Sequence, residues 1–193
     1  MPHRRRAPHN PRCPVHVTFR AGAGLASLRE ATVFAGLVRA FAAASNDGFR
    51  LLQFSVQSDH LHLLVESDTP TRLTRGVQGL AVRTAKAINR VLGRRGRVWS
   101  DRFHAHVLRT PREVRNALVY ILNNARKHLP GIRGLDPRSS ARFFAGWRTA
   151  VVRVVGRTPL VGPRTWLAAV GWRRTPRGLI DVDEAPRAQR LRR

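Results

Sequence analysis

The chain has 193 residues, with 36 lysines and arginines against 11 aspartates and glutamates, and a formal net charge of +25 at pH 7. This length suits one domain with an extension, and a single cysteine, Cys13, excludes an intramolecular disulfide and a cysteine-based zinc site. Only Lys86 and Lys127 are lysines, so the charge is almost entirely guanidinium and favours a phosphate-bearing partner; an arginine bias of the coding sequence is the alternative explanation.

The first half of the chain alternates strand and helix patterns. A basic, proline-rich leader over residues 1–13 has no apolar stretch behind it, so we expect neither a signal peptide nor a membrane anchor but a cytoplasmic protein. Residues 15–20 alternate apolar and polar side chains, which predicts a half-buried strand. Residues 25–44 carry apolar residues at spacings of three and four, which predicts a helix buried through Leu28, Ala31, Ala35, Val38 and Phe41.

The next patterns predict a hairpin and a second helix. Strands over 50–57 and 60–66 are joined by the short turn at Ser58 and Asp59, which favours antiparallel pairing. Thr69 and Pro70 then begin a helix that we expect to run to about residue 92.

A basic turn and two further elements follow. The turn contains Arg94, Arg95 and Arg97, and a strand is predicted over residues 98–109. The sequence Thr110-Pro111-Arg112-Glu113 is a capping box with proline at the first helical position, so a helix should begin there and run to about His128.

The order of these elements predicts an α+β fold. The predicted order is strand, helix, strand, strand, helix, strand and helix. This is the order of a ferredoxin-like split βαβ antiparallel sheet with an added helix. We therefore divide the chain into the leader 1–13, a domain over 14–130 and an extension over 131–193. The extension contains aromatic residues that argue against disorder, so we expect an irregular, partly packed segment with a frayed tail after Pro186.

Two histidines in the stretch QSDHLHLLVE, residues 57–66, are candidate metal ligands. On a strand His60 and His62 share one face, their Cα atoms about 7 Å apart, and two such imidazoles can bind one divalent ion. A structural or solvated histidine pair is the alternative, and a second pair on a predicted strand, His104 and His106, is an alternative set of ligands. His16 on the first strand is either a neighbour of the ligands or a structural histidine.

The only tyrosine of the chain, Tyr120, is a candidate nucleophile. Asn124 follows one helical turn later on the same face, so that a phenol and an amide oxygen are presented together, and Lys127 extends this face. Packing in the core is the alternative role for Tyr120.

Four segments in register resemble a known family. They are HVTFR from His16, QSDHLHLLV around His60, GRVWSDRFHAHVL around Trp99 and VYILNNARKH around Tyr120. Together, over residues 13–130, they resemble the single-tyrosine HUH endonucleases and, within these, the REP-associated tyrosine transposases. Asp59, where the family often has asparagine, and Ala125, where it often has proline, are departures that remove no ligand.

The resemblance implies a metal-dependent strand transferase. His60, His62 and Asn124 would bind Mg²⁺ or Mn²⁺, and Tyr120 would attack single-stranded DNA at palindromic hairpin repeats to form a 5′-phosphotyrosine link. Such relatives are expected to act as monomers. From charge alone we expect the hairpin phosphates at Arg94, Arg95, Arg97 and Lys127 and at arginines of the tail. A solvated basic turn is the alternative role for Arg94, Arg95 and Arg97.

Two rival hypotheses have different chemistry. The protein could be a non-catalytic, domesticated DNA- or RNA-binding protein, which would bind without nicking. A metal-dependent phosphohydrolase built on a histidine cluster is disfavoured, because no acidic residue is placed as an obvious third ligand.

Overall fold

The computed structural model describes residues 9–100, 103–128, 134–152 and 158–186, without the side chains of residues 127 and 128. The elements of the predicted domain are β1 Val15–Arg20, α1 Ala31–Ala42, β2 Phe49–Val56, β3 His60–Ser67, α2 Pro70–Val91, β4 His104–Val107, α3 Pro111–Asn123 and α4 Ala125–His128. The extension contributes a 3₁₀ turn at Ser140–Phe143, a helical turn α5 at Trp166–Ala169 and a second 3₁₀ turn at Gly171–Arg174.

The four strands form one antiparallel sheet in the order β2-β3-β1-β4. This is the split βαβ arrangement, in which β1 lies between β3 and β4, so the predicted fold class is confirmed. Thr18 of β1 lies opposite His62 on one side and His104 on the other. His16 likewise lies opposite Leu64 and His106. Directly paired residues project to the same face, so this register places histidines of three strands on one face of the sheet.

Each face of the sheet is covered. On one face α1 and α2 bury a core that includes Leu61, Leu63 and Val65 of β3. On the other face α3 and the extension pack over Leu64. The face that carries the histidines is therefore covered by the helix that carries Tyr120.

The predicted starts of α2 and α3 are confirmed. The Thr69 hydroxyl accepts a hydrogen bond from the Arg72 amide at the start of α2. At the start of α3 the capping box is complete: Thr110 accepts from the Glu113 amide, and the Glu113 carboxylate accepts from the Thr110 amide. Caps of this kind contribute about 1 kcal/mol each.

The first helix begins later than predicted. Residues 25–30 are not helical, because the Leu28 amide donates to Ser58 and the Arg29 guanidinium donates to Val56 and to Asp136. The buried face of α1 also differs from the prediction. Ala31 and Ala35 are exposed, and the helix is buried through Val33, Gly36, Leu37 and Phe41.

The fourth strand is shorter than the predicted 98–109. Regular pairing covers only His104–Val107, while Trp99 forms an isolated bridge with Ala21 and its indole donates to the Ala81 carbonyl. Val98 and Ser100 still form backbone hydrogen bonds with Gly22 and Arg20 at the end of β1, but this pairing is separate from the regular ladder of β4. Residues 101 and 102 lie outside the described part of the chain.

The described part of the extension is closely packed on α3. Phe144, Trp147, Leu167 and Trp172 share a core with that helix. The buried Arg115 guanidinium of α3 also donates to Glu184 and to the carbonyls of Gly178 and Leu179. The boundary at residue 130 stays a prediction, because it and the predicted frayed tail lie outside the described residues.

Candidate active site

The site is built on β3 and β1, whose register brings three polar side chains together. His62 Nδ1 lies 3.2 Å from His16 Nε2 and 3.2 Å from Thr18 Oγ1. The ring centroids of His60 and His62 are 4.6 Å apart. His62 is only 5% exposed and His16 only 6%. These contacts fix the orientation of the His62 ring.

Tyr120 lies against these rings from α3. Its ring centroid is 4.9 Å from that of His62 and 5.9 Å from that of His16, with edge-to-face geometry in both pairs. The same helix is held on the sheet by its buried residues, which include Val114, Leu118 and Ile121. Tyr120 itself is half-buried, so the structure places the phenol beside the histidine pair and not within the apolar core.

Asp59 orients the outer histidine. Its carboxylate Oδ1 lies 2.6 Å from His60 Nδ1, and its Oδ2 accepts from Arg20 at 3.2 Å. Burial acts to raise the pKa of Asp59, but its hydrogen bond with His60 and the charge of Arg20 outweigh this and hold the pKa below its ordinary value. A carboxylate that accepts from Nδ1–H fixes the tautomer in which Nε2 carries the lone pair, and metal-binding histidines usually have such a partner.

Asn124 supplies a second observation that fits a metal. It lies one turn after Tyr120, is fully buried, and neither its Oδ1 nor its Nδ2 has a hydrogen-bond partner in the described part of the chain. A buried amide without partners is costly, about 1–3 kcal/mol, and usually has a reason. The neighbouring Asn123 is bound differently, since its amide donates to the carbonyls of Asp181 and Glu184.

Two imidazoles and one amide oxygen are a donor set that a divalent cation can use, and the amide oxygen is the kind of donor that Mg²⁺ and Mn²⁺ prefer. Within the described ranges, no three histidine, cysteine, aspartate or glutamate side chains converge as a metal site. Glu66, on the histidine face of β3, is occupied elsewhere. Its buried carboxylate accepts from Arg50 and from the backbone amides of Arg164 and Thr165.

Burial shifts the pKa of two rings in the site. Burial, with a smaller contribution from His106, lowers the pKa of His16 to about 4, so this ring is neutral at neutral pH. Burial also raises the pKa of Tyr120 above its ordinary value. The phenol therefore stays protonated unless a cation reaches it.

The second histidine pair and the predicted DNA contacts lie around this site. His104 and His106 are exposed on the same face, with β1 between them and β3. Arg95 and Arg97 are exposed and Arg94 is half-buried, but Arg94 donates to the Arg97 carbonyl, and Arg97 donates to the carbonyls of Trp99 and Ser100. Two of the three are thus bonded within their own turn, and the side chain of Lys127 lies outside the described part.

The sequence alone left two roles open for His16, a neighbour of the ligands or a structural histidine, and did not point to Thr18. The signal for both was present in β1, because His16 and Thr18 alternate with buried Val15, Val17 and Phe19. Alternation predicts a shared face but not the strand register, and it is the register that brings both side chains to His62.

Comparison with known proteins agrees with this arrangement. Residues 35–124 match the model of the family described as transposase, IS200-like. Over these residues, slightly less than half of the chain, the protein is similar to the IS200-like transposases. The resemblance inferred from the sequence is thus confirmed, although the family match is narrower than residues 13–130.

A solved structure shares the fold over more of the chain. It is a REP-associated tyrosine transposase bound to a REP hairpin, with 19% sequence identity and a TM-score of 0.59. The match covers 81% of this chain and 93% of the other. No curated protein matches the chain. None of the described helices combines the length and apolarity needed to cross a membrane.

Proposed function

We propose that this protein cleaves and rejoins single-stranded DNA at hairpin repeats, with Tyr120 as the nucleophile. The observation that carries the proposal is the contact of the only tyrosine with His62, inside a family of transposases. The printed description of the similar structure, a transposase on a REP hairpin, supports a hairpin substrate. Action on such repeats would place the protein at the bacterial nucleoid.

His60, His62 and Asn124 would hold one Mg²⁺ or Mn²⁺ ion. Bound there, the ion would polarise the scissile phosphodiester and stabilise the negative charge that develops on its oxygens. The residues of the chain fix the ligands: Asp59 holds Nδ1 of His60, and His16 with Thr18 holds Nδ1 of His62.

The covalent step exchanges one phosphoester bond for another. The Tyr120 oxygen attacks phosphorus and loses its proton, the bond from phosphorus to the 3′ oxygen breaks, and that oxygen leaves as a 3′-hydroxyl. The result is a 5′-phosphotyrosine link, and attack by another 3′-hydroxyl on this link rejoins a strand and releases the phenol. No external energy source is needed, because one phosphoester replaces another.

A single strand suits this site better than a duplex. Tyr120 is half-buried beside the sheet, and a flexible strand can bring its backbone to such a phenol, whereas a duplex must first be opened. His60, His62 and Tyr120 come from one chain, which supports catalysis within a monomer.

The test uses a labelled synthetic DNA hairpin with a single-stranded 5′ extension, incubated with Mn²⁺ or Mg²⁺. We expect a covalent protein–DNA adduct on a denaturing gel with the wild type and none with Tyr120→Phe, which keeps the ring but not the oxygen. Hairpin binding by the variant, measured by fluorescence anisotropy, should stay within about twofold of the wild type.

Two outcomes would contradict the proposal. Tight binding by the wild type without any adduct under either metal would favour the non-catalytic binding protein. Cleavage that persists in Tyr120→Phe would favour a phosphohydrolase that uses water as the nucleophile.

A further inference from the structure

The cations of α2 are gathered on one side of the helix. Its 22 residues contain five cations and no acidic residue. The five recur at spacings of three, four or eight, which keeps them in one stripe, and all are exposed: Arg72, Arg75, Arg83, Lys86 and Arg90. We call this set the α2 stripe. The other exposed positions of the helix are uncharged: Pro70, Thr71, Thr74, Gln78 and Val82.

This segregation argues against a merely solvating role. Charges that only keep a helix soluble would occupy the exposed positions without preference, and acidic residues would be mixed among them. None of the five cations forms an ion pair with a side chain in the described part of the protein. The positive charge of the stripe is therefore available to an outside anion.

The stripe borders a shallow groove of about 290 Å³ beside the end of α1. Gly76 in this groove is required by packing, because a Cβ there would lie 2.2 Å from the Phe49 ring. Gly79, between Arg75 and Arg83, has no atom within 4 Å of where a Cβ would lie. Glycine weakens a helix interior, and packing does not explain this one. Because Gly79 has no side chain, the backbone of a ligand has room to approach between Arg75 and Arg83.

The stripe leads toward the active site along the opposite face of the sheet. α2 packs on the face away from Tyr120. After α2 the chain returns to the sheet, where the Ser100 amide donates to the Arg20 carbonyl. Arg20 of β1 lies opposite His60 of β3 in the strand register. The carboxyl end of the stripe therefore faces the end of the sheet at which β3 begins with His60.

We propose that the α2 stripe binds the sugar-phosphate backbone of the double-stranded stem, while the unpaired strand passes around the sheet end at His60 to reach Tyr120. This inference rests on the proposed function. From Arg72 to Arg90 the stripe spans about 27 Å at 1.5 Å per residue, a straight and rigid row of charge. A duplex offers a matching row, with one phosphate per about 3.4 Å of axis on each strand.

A stem fits this surface better than a single strand. Proteins that bind single strands combine positive charge with aromatic side chains on which bases stack. The exposed residues of α2 include no aromatic side chain, and its uncharged exposed residues are proline, threonine, glutamine and valine. Contacts to phosphates alone predict binding that depends on salt and not on base sequence.

The first experiment removes two cations of the α2 stripe. Affinity for the synthetic hairpin and for its blunt stem alone is measured without metal over a range of salt, so that no cleavage is needed. For Arg75→Gln with Arg83→Gln we expect affinity to fall at least about tenfold, and the log–log salt slope to fall by about 2, near 0.9 for each lost phosphate contact.

The matched control adds Thr74→Arg and Val152→Arg to the same variant, which restores the net charge at two exposed positions outside the stripe. If the position of the charge matters, stem affinity stays low. Full recovery of affinity would overturn the proposal, because net charge alone would then account for binding.

A second variant, Gly79→Gln, fills the groove and leaves every cation in place. We expect its melting temperature to equal or exceed that of the wild type, while stem affinity falls severalfold. Wild-type affinity in both this variant and the double glutamine variant would overturn the inference even if the wild type forms the covalent adduct. Stem binding through α2 without any adduct would instead overturn the proposed function alone.

Discussion

The orientation of each imidazole is set by a different neighbour. His60 is held by the Asp59 carboxylate at 2.6 Å, whereas His62 is held by His16 and Thr18 on the adjacent strand. A neutral His16 can accept a proton shared from His62 Nδ1, and burial keeps His16 neutral by lowering its pKa to about 4. In these tautomers Nε2 of each ring carries the lone pair, as a metal ligand requires.

The contact of Asp59 with His60 should affect metal binding. Asp59→Ala removes the acceptor for Nδ1–H, and we expect the Mn²⁺ affinity to fall about 10- to 100-fold, as for other outer partners of metal-binding histidines. Asp59→Asn keeps an oxygen acceptor and should lose less. Isothermal titration with Mn²⁺ measures both. Equal affinity in the alanine variant and the wild type would show that the contact has no part in metal binding.

The buried amide of Asn124 should destabilise the metal-free protein. It is buried without hydrogen-bond partners among the described residues, so Asn124→Leu, nearly equal in size, should raise the free energy of unfolding in EDTA by about 1 kcal/mol. The same variant should lose adduct formation and Mn²⁺ binding. Urea denaturation in EDTA measures the stability. A clear loss of stability would instead assign Asn124 a structural role.

At the scale of elements, α3 is the part of the fold that connects site and extension. One side of it presents Tyr120 to the histidines, and another packs against Trp172 and the 3₁₀ turns of the extension. The buried Arg115 of α3 binds Glu184 with two hydrogen bonds. The extension therefore fixes the position of the helix that carries the nucleophile.

The pair Arg115 and Glu184 should make stability depend on pH. The hydrogen bond from Arg115 outweighs the opposing effect of burial and holds the pKa of Glu184 below its ordinary value. A carboxyl with a depressed pKa in the folded state stabilises the protein above the ordinary value of 4.5 and loses that contribution as the pH falls further.

Glu184→Gln should therefore lower the free energy of unfolding at pH 7 by about 2–3 kcal/mol, since it leaves a buried guanidinium without its anion. The variant should also lose less stability than the wild type between pH 5 and the acid range, because one titrating group is gone. Urea denaturation at several pH values measures both effects. Parallel stability curves for the two proteins would contradict the assignment.

At the scale of the molecule, the two faces of the sheet have different surroundings. The α3 face holds the histidines, Tyr120 and the extension, and the α2 face carries the stripe of cations. The positive charges that give the net charge of +25 therefore differ in their surroundings. Guanidinium groups such as those of Arg29, Arg50 and Arg115 are bound to carboxylates within the fold, whereas those of α2 face solvent.

Catalysis within one chain can be tested by mixing inactive proteins. His62→Gln lacks a proposed ligand and Tyr120→Phe lacks the nucleophile, so neither should form an adduct alone. If each site is complete within one chain, their mixture should also form none at any protein concentration. An adduct in the mixture would show that one subunit supplies the tyrosine to the metal site of another.

The sequence by itself determined the local features. Alternation marked β1, and the short turn at residues 58–59 marked the hairpin of β2 and β3. Thr69 with Pro70 marked the start of α2, the capping box marked the start of α3, and helical spacing placed Asn124 one turn after Tyr120. These signals are carried by residues a few positions apart, and the order of elements then left few possible sheets. The fold class and the family resemblance followed from them.

Only the tertiary structure decided which distant residues meet. The start of α1 depended on bonds from Leu28 and Arg29 to residues 27 to 107 positions away. The place of His16 and Thr18 beside His62 depended on the register of β1 against β3. The exposure and burial of each arginine depended on which carboxylates the fold brought near. Such contacts are absent from local patterns, because they arise only when packing joins segments that are far apart in the chain.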